Sequence, residues 1–174
     1  MENINWDRFI EIGKDVKAKT GIDMISFIPT EMATFETILQ SQGSNYFKAN
    51  GDLNLVGNEA AKETLTIVKS MLDSNIVKQA TDWTTFVGAI NGGTAASSLS
   101  GAWFTATVMS VPEQKGAWRI APTPRVEGKG VNASNEGGSS WYVMGTEQKD
   151  LAKKFISETL GSDIELYQKL LKEV

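Results

Sequence analysis

Apolar residues recur along this chain at helical spacing in some stretches and in short unbroken runs in others, and the two patterns alternate. Residues 6–19 place Phe9, Ile12 and Val16 on one helical face, with Asn5 able to cap the start and Gly21 to stop the end. Residues 22–28 are apolar on both alternating faces, the mark of a buried strand in a parallel or mixed sheet, and Pro29 ends it. A helix over 32–42 turns Phe35, Ile38 and Leu39 inward and closes at Gly43. Asn50-Gly51 signals a tight turn between short extended pieces within 46–55.

The clearest helix starts at Asn58, where Ala61, Leu65, Val68 and Leu72 share a face and Lys62, Glu63 and Lys69 lie elsewhere. A shorter one over 83–91 stops at Gly92-Gly93. Strands are expected at 94–100, 118–121 and 140–144, and a helical piece from Gly101 to about Ser110. Residues 127–138, rich in Gly, Asn and Ser, form the longest irregular stretch. Two helices close the pattern, over 149–160 and 163–173, the second with Ser162 and Glu165 spaced as a capping box. Alternating strands and helices predict an α/β fold, a mixed sheet covered by helices.

Composition narrows the function more than the fold. The 174 residues are 41% hydrophobic and 22% charged with a net charge of -4, ordinary values for a folded domain. The 17 Lys and Arg are scattered among 21 acids, so the chain has no basic patch with which to hold nucleic acid. It has no Cys and no His, which removes thiolate nucleophiles, disulfides, the usual zinc ligands and the commonest general base near neutral pH. No apolar run approaches the roughly 18 to 20 residues of a membrane span. Residues 1–7 have neither the basic flank nor the apolar stretch of a signal peptide, and the expectation is a piece cut from a longer polypeptide or a cytoplasmic protein.

Gly128-Lys129-Gly130-Val131-Asn132-Ala133 matches the dinucleotide fingerprint in letters only, because Pro122 and Pro124 precede it where a buried strand should stand. It is read as a loop, and Asn132-Ala133-Ser134 is a formal glycosylation sequon within it. No nucleophile elbow, phosphate loop or metal motif is present, so no catalytic, metal or cofactor residues are assigned. Paired carboxylates need no sequence spacing, which keeps a carboxylate-dependent carbohydrate-active enzyme open as an alternative, beside a stand-alone cytoplasmic interaction domain. The five tryptophans carry more information. Trp103 follows Gly101-Ala102 at a strand-to-helix junction, where an indole can stack on the C–H face of a pyranose while polar neighbours take its hydroxyls.

Four stretches then fall in the order of one known family: Asn5-Trp6-Asp7-Arg8-Phe9, the helix from Glu31 to Gly43 with Asn50-Gly51 beyond, Phe86 through Trp103, and Ala121-Pro122 through Gly137-Gly138 with the helix after them. The chain resembles the family 1 extracellular solute-binding proteins over nearly its whole length. That resemblance implies one lobe of a type II periplasmic-binding-protein-like fold. Residues 1–136 would be the α/β core of a C-terminal lobe, and 137–174 a crossover strand and helices belonging to the other lobe. It implies a sugar or oligosaccharide ligand and delivery to an ABC transporter permease. The intact protein would be periplasmic or a membrane-anchored extracellular lipoprotein. Trp103 would be the stacking platform, Glu31 a polar contact, and Gly138 and Ser139 contacts at the crossover. Trp141 would line the cleft or be buried in its strand. The apolar helices near the C-terminus predict a homodimer of this chain.

Overall fold

A computed structural model describes residues 3–129 and 131–173, and side-chain burial as far as Lys169. Gly130 of the fingerprint-like loop and the side chains of Leu170 and Leu171 lie outside what is described. The chain divides into two compact units, Met1–Glu136 and Gly137–Val174.

In the first unit α1 (Trp6–Thr20) begins where the Asn5 side chain accepts from the Arg8 amide at 2.9 Å. It ends where Gly21, at φ 75°, donates its N–H to the Lys17 carbonyl, a left-handed cap that glycine adopts without a Cβ penalty. Strand β1 (Ile25–Phe27) is buried along its length and pairs in parallel with β2 (Val77–Gln79), with Ile25 opposite Val77 and Phe27 opposite Gln79. Between them run α2 (Ala33–Ser41) and α3 (Glu59–Asp73). After β2 comes α4 (Trp83–Asn91), then a 3-10 turn (Ala102–Phe104) leading into the short α5 (Thr105–Met109). The class is α/β, with a small parallel sheet.

The expected strand at 94–100 contracts to a parallel bridge between Asp23 and Ala95 on the other side of β1. Its Ser97 hydroxyl donates to the Met24 carbonyl at 2.6 Å, so a side chain occupies an acceptor that a backbone ladder would use. Residues 118–121 form no strand either: Trp118 is held by its indole N–H to Gln114 Oε1 at 2.7 Å, and Ile120 is 91% exposed. The Trp118 carbonyl accepts from the Arg119 guanidinium at 2.8 Å, in place of a partner strand.

Two apolar clusters hold the unit together. One gathers Trp6, Phe9 and Ile10 of α1, Met24 and Ile25, Ile38 of α2, Met71 of α3, and Ile76 and Val77. The other gathers Phe86, Ala89 and Ile90 of α4 with Ile28, Ala80, Ala95 and Phe104. The inward face of α3 is rotated from the expected one, since Leu65 is 60% exposed while Thr64 and Met71 are fully buried. The reason is polar. Gln42 Nε2 donates to Thr64 Oγ1 at 2.8 Å, and that hydroxyl donates to the Ala60 carbonyl, so the buried Thr64 hydroxyl is satisfied and the end of α2 is tied to α3.

The second unit contains α6 (Lys149–Glu158) and α7 (Ile164–Glu173). Asp163, not Ser162, caps α7: its carboxylate accepts from the Leu166 amide at 2.9 Å, while the Ser162 hydroxyl donates back to the Ser157 carbonyl. Residues 140–144 form no strand, and Trp141 is 65% exposed rather than buried. No strand among the described residues offers that segment a ladder.

Candidate ligand-binding site

An open pocket of about 50 Å³ lies on the first unit, where the loop after β1, the start of α4 and residues 99–100 meet Glu136. Its apolar floor is Phe27, Ile28 and Phe86; Glu31, Thr34, Ser100 and Glu136 supply polar groups, and Trp83 forms an aromatic side. Pockets that enclose a small ligand measure roughly 300–1,000 Å³, so this is a shallow recess and not a closed chamber.

Each part is placed by local structure. Asp82 caps α4 by accepting from the Thr85 amide, and the Thr85 hydroxyl accepts in return from the Asp82 amide. That reciprocal cap fixes the first turn and sets Trp83, the first helical residue, at the rim with 48% of its surface exposed. The capping bonds also hold the Asp82 carboxyl below its usual range. Trp83 contacts Phe86 at 5.4 Å between ring centroids and Trp103 at 5.8 Å, and Phe104 meets both tryptophans edge-on. Trp103 is 50% exposed, and its indole N–H donates to the Glu136 backbone carbonyl at 3.1 Å. Gly101 makes this contact feasible: a Cβ there would stand 2.5 Å from Trp103 Nε1 and 2.7 Å from the Glu136 carbonyl oxygen.

Burial pushes the Glu136 carboxyl above its ordinary value; the nearby Ser100 hydroxyl and the Gly101 amide act in the other direction without cancelling it. The Glu136 carboxyl and the Ser100 hydroxyl are buried beside each other at the pocket's edge. Among the described residues no group of three or more carboxylates is arranged to hold a metal ion.

Of the residues singled out from sequence, Glu31 lines the pocket. Trp103 touches it through Trp83 and Glu136 without lining it. Gly138, Ser139 and Trp141 belong to the second unit and are exposed. Ser100 and Glu136 escaped the sequence reading, and Trp83, counted among the five tryptophans, was not assigned to the site. An aromatic residue just after an Asp cap was a usable signal for Trp83; a lone acid in a loop of glycines and serines gave none for Glu136.

Residues 2–162 match the family described as bacterial extracellular solute-binding protein. The chain belongs to that family. As a solute-binding protein it is similar to the lactose-binding protein of Rhizobium radiobacter, 40% identical over 99% of this chain and 42% of the relative. It is also similar to the arabinooligosaccharide-binding protein of Bacillus subtilis, 29% identical over 91% of this chain and 38% of that protein. The chain thus spans about two fifths of the length of these curated relatives. Among solved structures, the GacH receptor of Streptomyces glaucescens superposes with a TM-score of 0.63 at 18% identity, covering 74% of this chain and 34% of that one. At that identity the likeness concerns the fold alone.

Proposed function

We propose that this chain supplies one wall of a sugar-binding cleft in a protein that captures a sugar or oligosaccharide outside the membrane and passes it, unchanged, to an ABC transporter permease. The observation that carries this reading is the pocket itself: a half-exposed indole beside the carboxyl and hydroxyl groups of Glu31, Ser100 and Glu136, in a member of the solute-binding family. Indole faces stack on the apolar side of pyranose rings, and carboxyl and hydroxyl groups take the ring's hydroxyls. The names of the relatives support lactose and arabinooligosaccharides as first candidates. Residues 3–136 act as one lobe. Gly138, Ser139 and Trp141 are further ligand contacts of the intact protein on this reading, and ligand binding shifts its balance between open and closed forms. The working location is periplasmic or extracellular with a lipid anchor. Exposed Leu151, Phe155, Ile164 and Tyr167 on the second unit support self-association of this chain when it is isolated.

Calorimetric titration of the full-length protein with lactose, an arabinotriose and maltotriose tests the reading, with the sugar recovered and analysed afterwards. Saturable binding with the sugar recovered intact is expected. Cleavage of the glycosidic bond would favour the enzyme alternative, and absence of binding across the panel would remove the sugar reading.

A further inference from the structure

The sequence holds two Asn-Gly pairs, Asn50-Gly51 and Asn91-Gly92, and the fold treats them differently. Asn50-Gly51 sits at the tip of a hairpin closed by an antiparallel bridge between Phe47 and Leu53, and every residue from 47 to 53 is exposed. Asn91-Gly92 ends α4, where the Gly92 N–H donates to the Gly88 carbonyl at 2.9 Å. The Asn91 backbone carbonyl accepts from Gln114 Nε2 at 2.8 Å, and its side-chain oxygen is buried.

An asparagine followed by glycine can react with its own backbone. The glycine nitrogen attacks the side-chain amide carbon and forms a new C–N bond. The Cγ–Nδ2 bond breaks, and ammonia leaves with the proton that the glycine nitrogen gives up through water. A water molecule then opens the succinimide at either carbonyl, leaving aspartate or isoaspartate with no change in oxidation state. The ring closes only where the backbone rotates until the following nitrogen meets the side chain, and a glycine there leaves room for the turn. A hydrogen-bonded helix, with ψ held near about −42°, opposes that rotation. At Asn50 the Gly51 N–H donates to the Lys48 carbonyl at 2.9 Å in a turn open to water, and Gly51 has φ 88°. Asn50 Oδ1 accepts from the Asp52 amide at 3.1 Å, so an N–H already stands where the oxyanion of the tetrahedral intermediate develops. We infer that Asn50 is a self-modification site, converting to aspartate and isoaspartate in the folded chain, while α4 shields Asn91.

Conversion undoes the turn in which it starts. Asn50 Nδ2 donates to Asp52 Oδ2 at 2.8 Å, and a carboxylate in place of that amide meets like charge. Isoaspartate also adds a methylene to the main chain between 50 and 51. That displaces the Lys48 amide from the Asp52 carbonyl, to which it donates at 2.8 Å. Each converted chain is one charge more negative.

The test incubates the folded 174-residue chain in warm neutral buffer beside a sample unfolded in guanidinium chloride. Peptide mass mapping follows both pairs, with fragmentation that separates isoaspartate from aspartate. In the folded chain Asn50 is expected to convert more than about tenfold faster than Asn91, which reacts only through opening of α4. In the unfolded chain the two rates should converge. Asn50→Gln should melt like the wild type and lose the early acidic species on isoelectric focusing. An intact amide at Asn50 in the folded chain, alongside conversion in the unfolded one, would overturn the inference. So would conversion of Asn91 at the rate of Asn50 in the folded chain. A rate gap that persists in guanidinium chloride would trace the selectivity to the neighbouring residues and overturn the part given to α4.

Discussion

Gly13 lies in the middle of α1, where alanine is ordinarily the better helix former by about 1 kcal/mol. The structure reverses that expectation. A Cβ on Gly13 would stand 2.8 Å from Met24 Cβ, 2.9 Å from Ile76 Cδ1 and 3.0 Å from Met24 Cγ. The Ile76 methyl ends a flexible side chain and can swing aside, but Met24 Cβ is fixed to the backbone just before β1 and moves only with it. Met24 and Ile76 are also almost fully buried, so neither has open space to enter. Overpacking of this kind costs roughly 1–3 kcal/mol. Set against the propensity gain, Gly13→Ala should destabilise the chain by up to about 2 kcal/mol, read as a lower urea midpoint with an unchanged slope. Ile76→Val removes one of the clashing atoms. Its own penalty should therefore shrink by about 0.5 kcal/mol or more in the Gly13→Ala background than in the wild type. A Gly13→Ala variant more stable than wild type by the full helix-propensity gain of about 1 kcal/mol would refute the close packing of α1 on the sheet.

Asn58→Ala removes an acceptor for the Ala60 and Ala61 amides and a donor to Ser44 and Asn54, and should cost about 1 to 2 kcal/mol in a denaturation curve. Glu136→Gln should raise the melting temperature of the ligand-free protein at neutral pH even as it weakens binding. The folded-state pKa of Glu136 is raised, so its burial penalises the native state above that pKa, and the mutant's advantage should vanish as pH falls below the ordinary glutamate value. Light scattering on the isolated 174-residue chain should report a dimer that Phe155→Glu disperses, since Phe155 is exposed on α6 and each such apolar side chain gains roughly 1.5–3 kcal/mol on burial; a monomer at every concentration would count against self-association.

Helices were legible because their information is local. Asn5, Asn58 and Gly21 mark helix ends with their own side chains or φ angles, and the structure uses all three as the letters suggested. Strands were read poorly because they depend on partners elsewhere in the chain. Strand β2 is only three residues long, with one buried position, and carries no periodic signal. Residues 140–144 look apolar enough for a strand and have no ladder to join. The face of α3 was misjudged because Thr64 counts as polar by type; Gln42, 22 positions earlier, makes it a core residue. The site shows the same division. Trp103 was conspicuous beside its glycine, whereas Glu136 comes to matter only because folding brings it 33 residues back to that indole and to Ser100.

The central claim is that the pocket between Trp83, Ser100 and Glu136 receives a sugar, and the indole N–H resonances of this chain test it most directly. Each of the five tryptophans gives one signal in a nitrogen–proton correlation spectrum, and a titration with lactose reads even weak binding residue by residue. The signals of Trp83 and Trp103 should move together along one saturable curve. Those of Trp6, in the core under α1, and Trp118, bonded to Gln114, should stay in place. Saturable shifts confined to Trp6 or Trp118, or no saturable shift at Trp83 up to the solubility limit of lactose, would contradict the account.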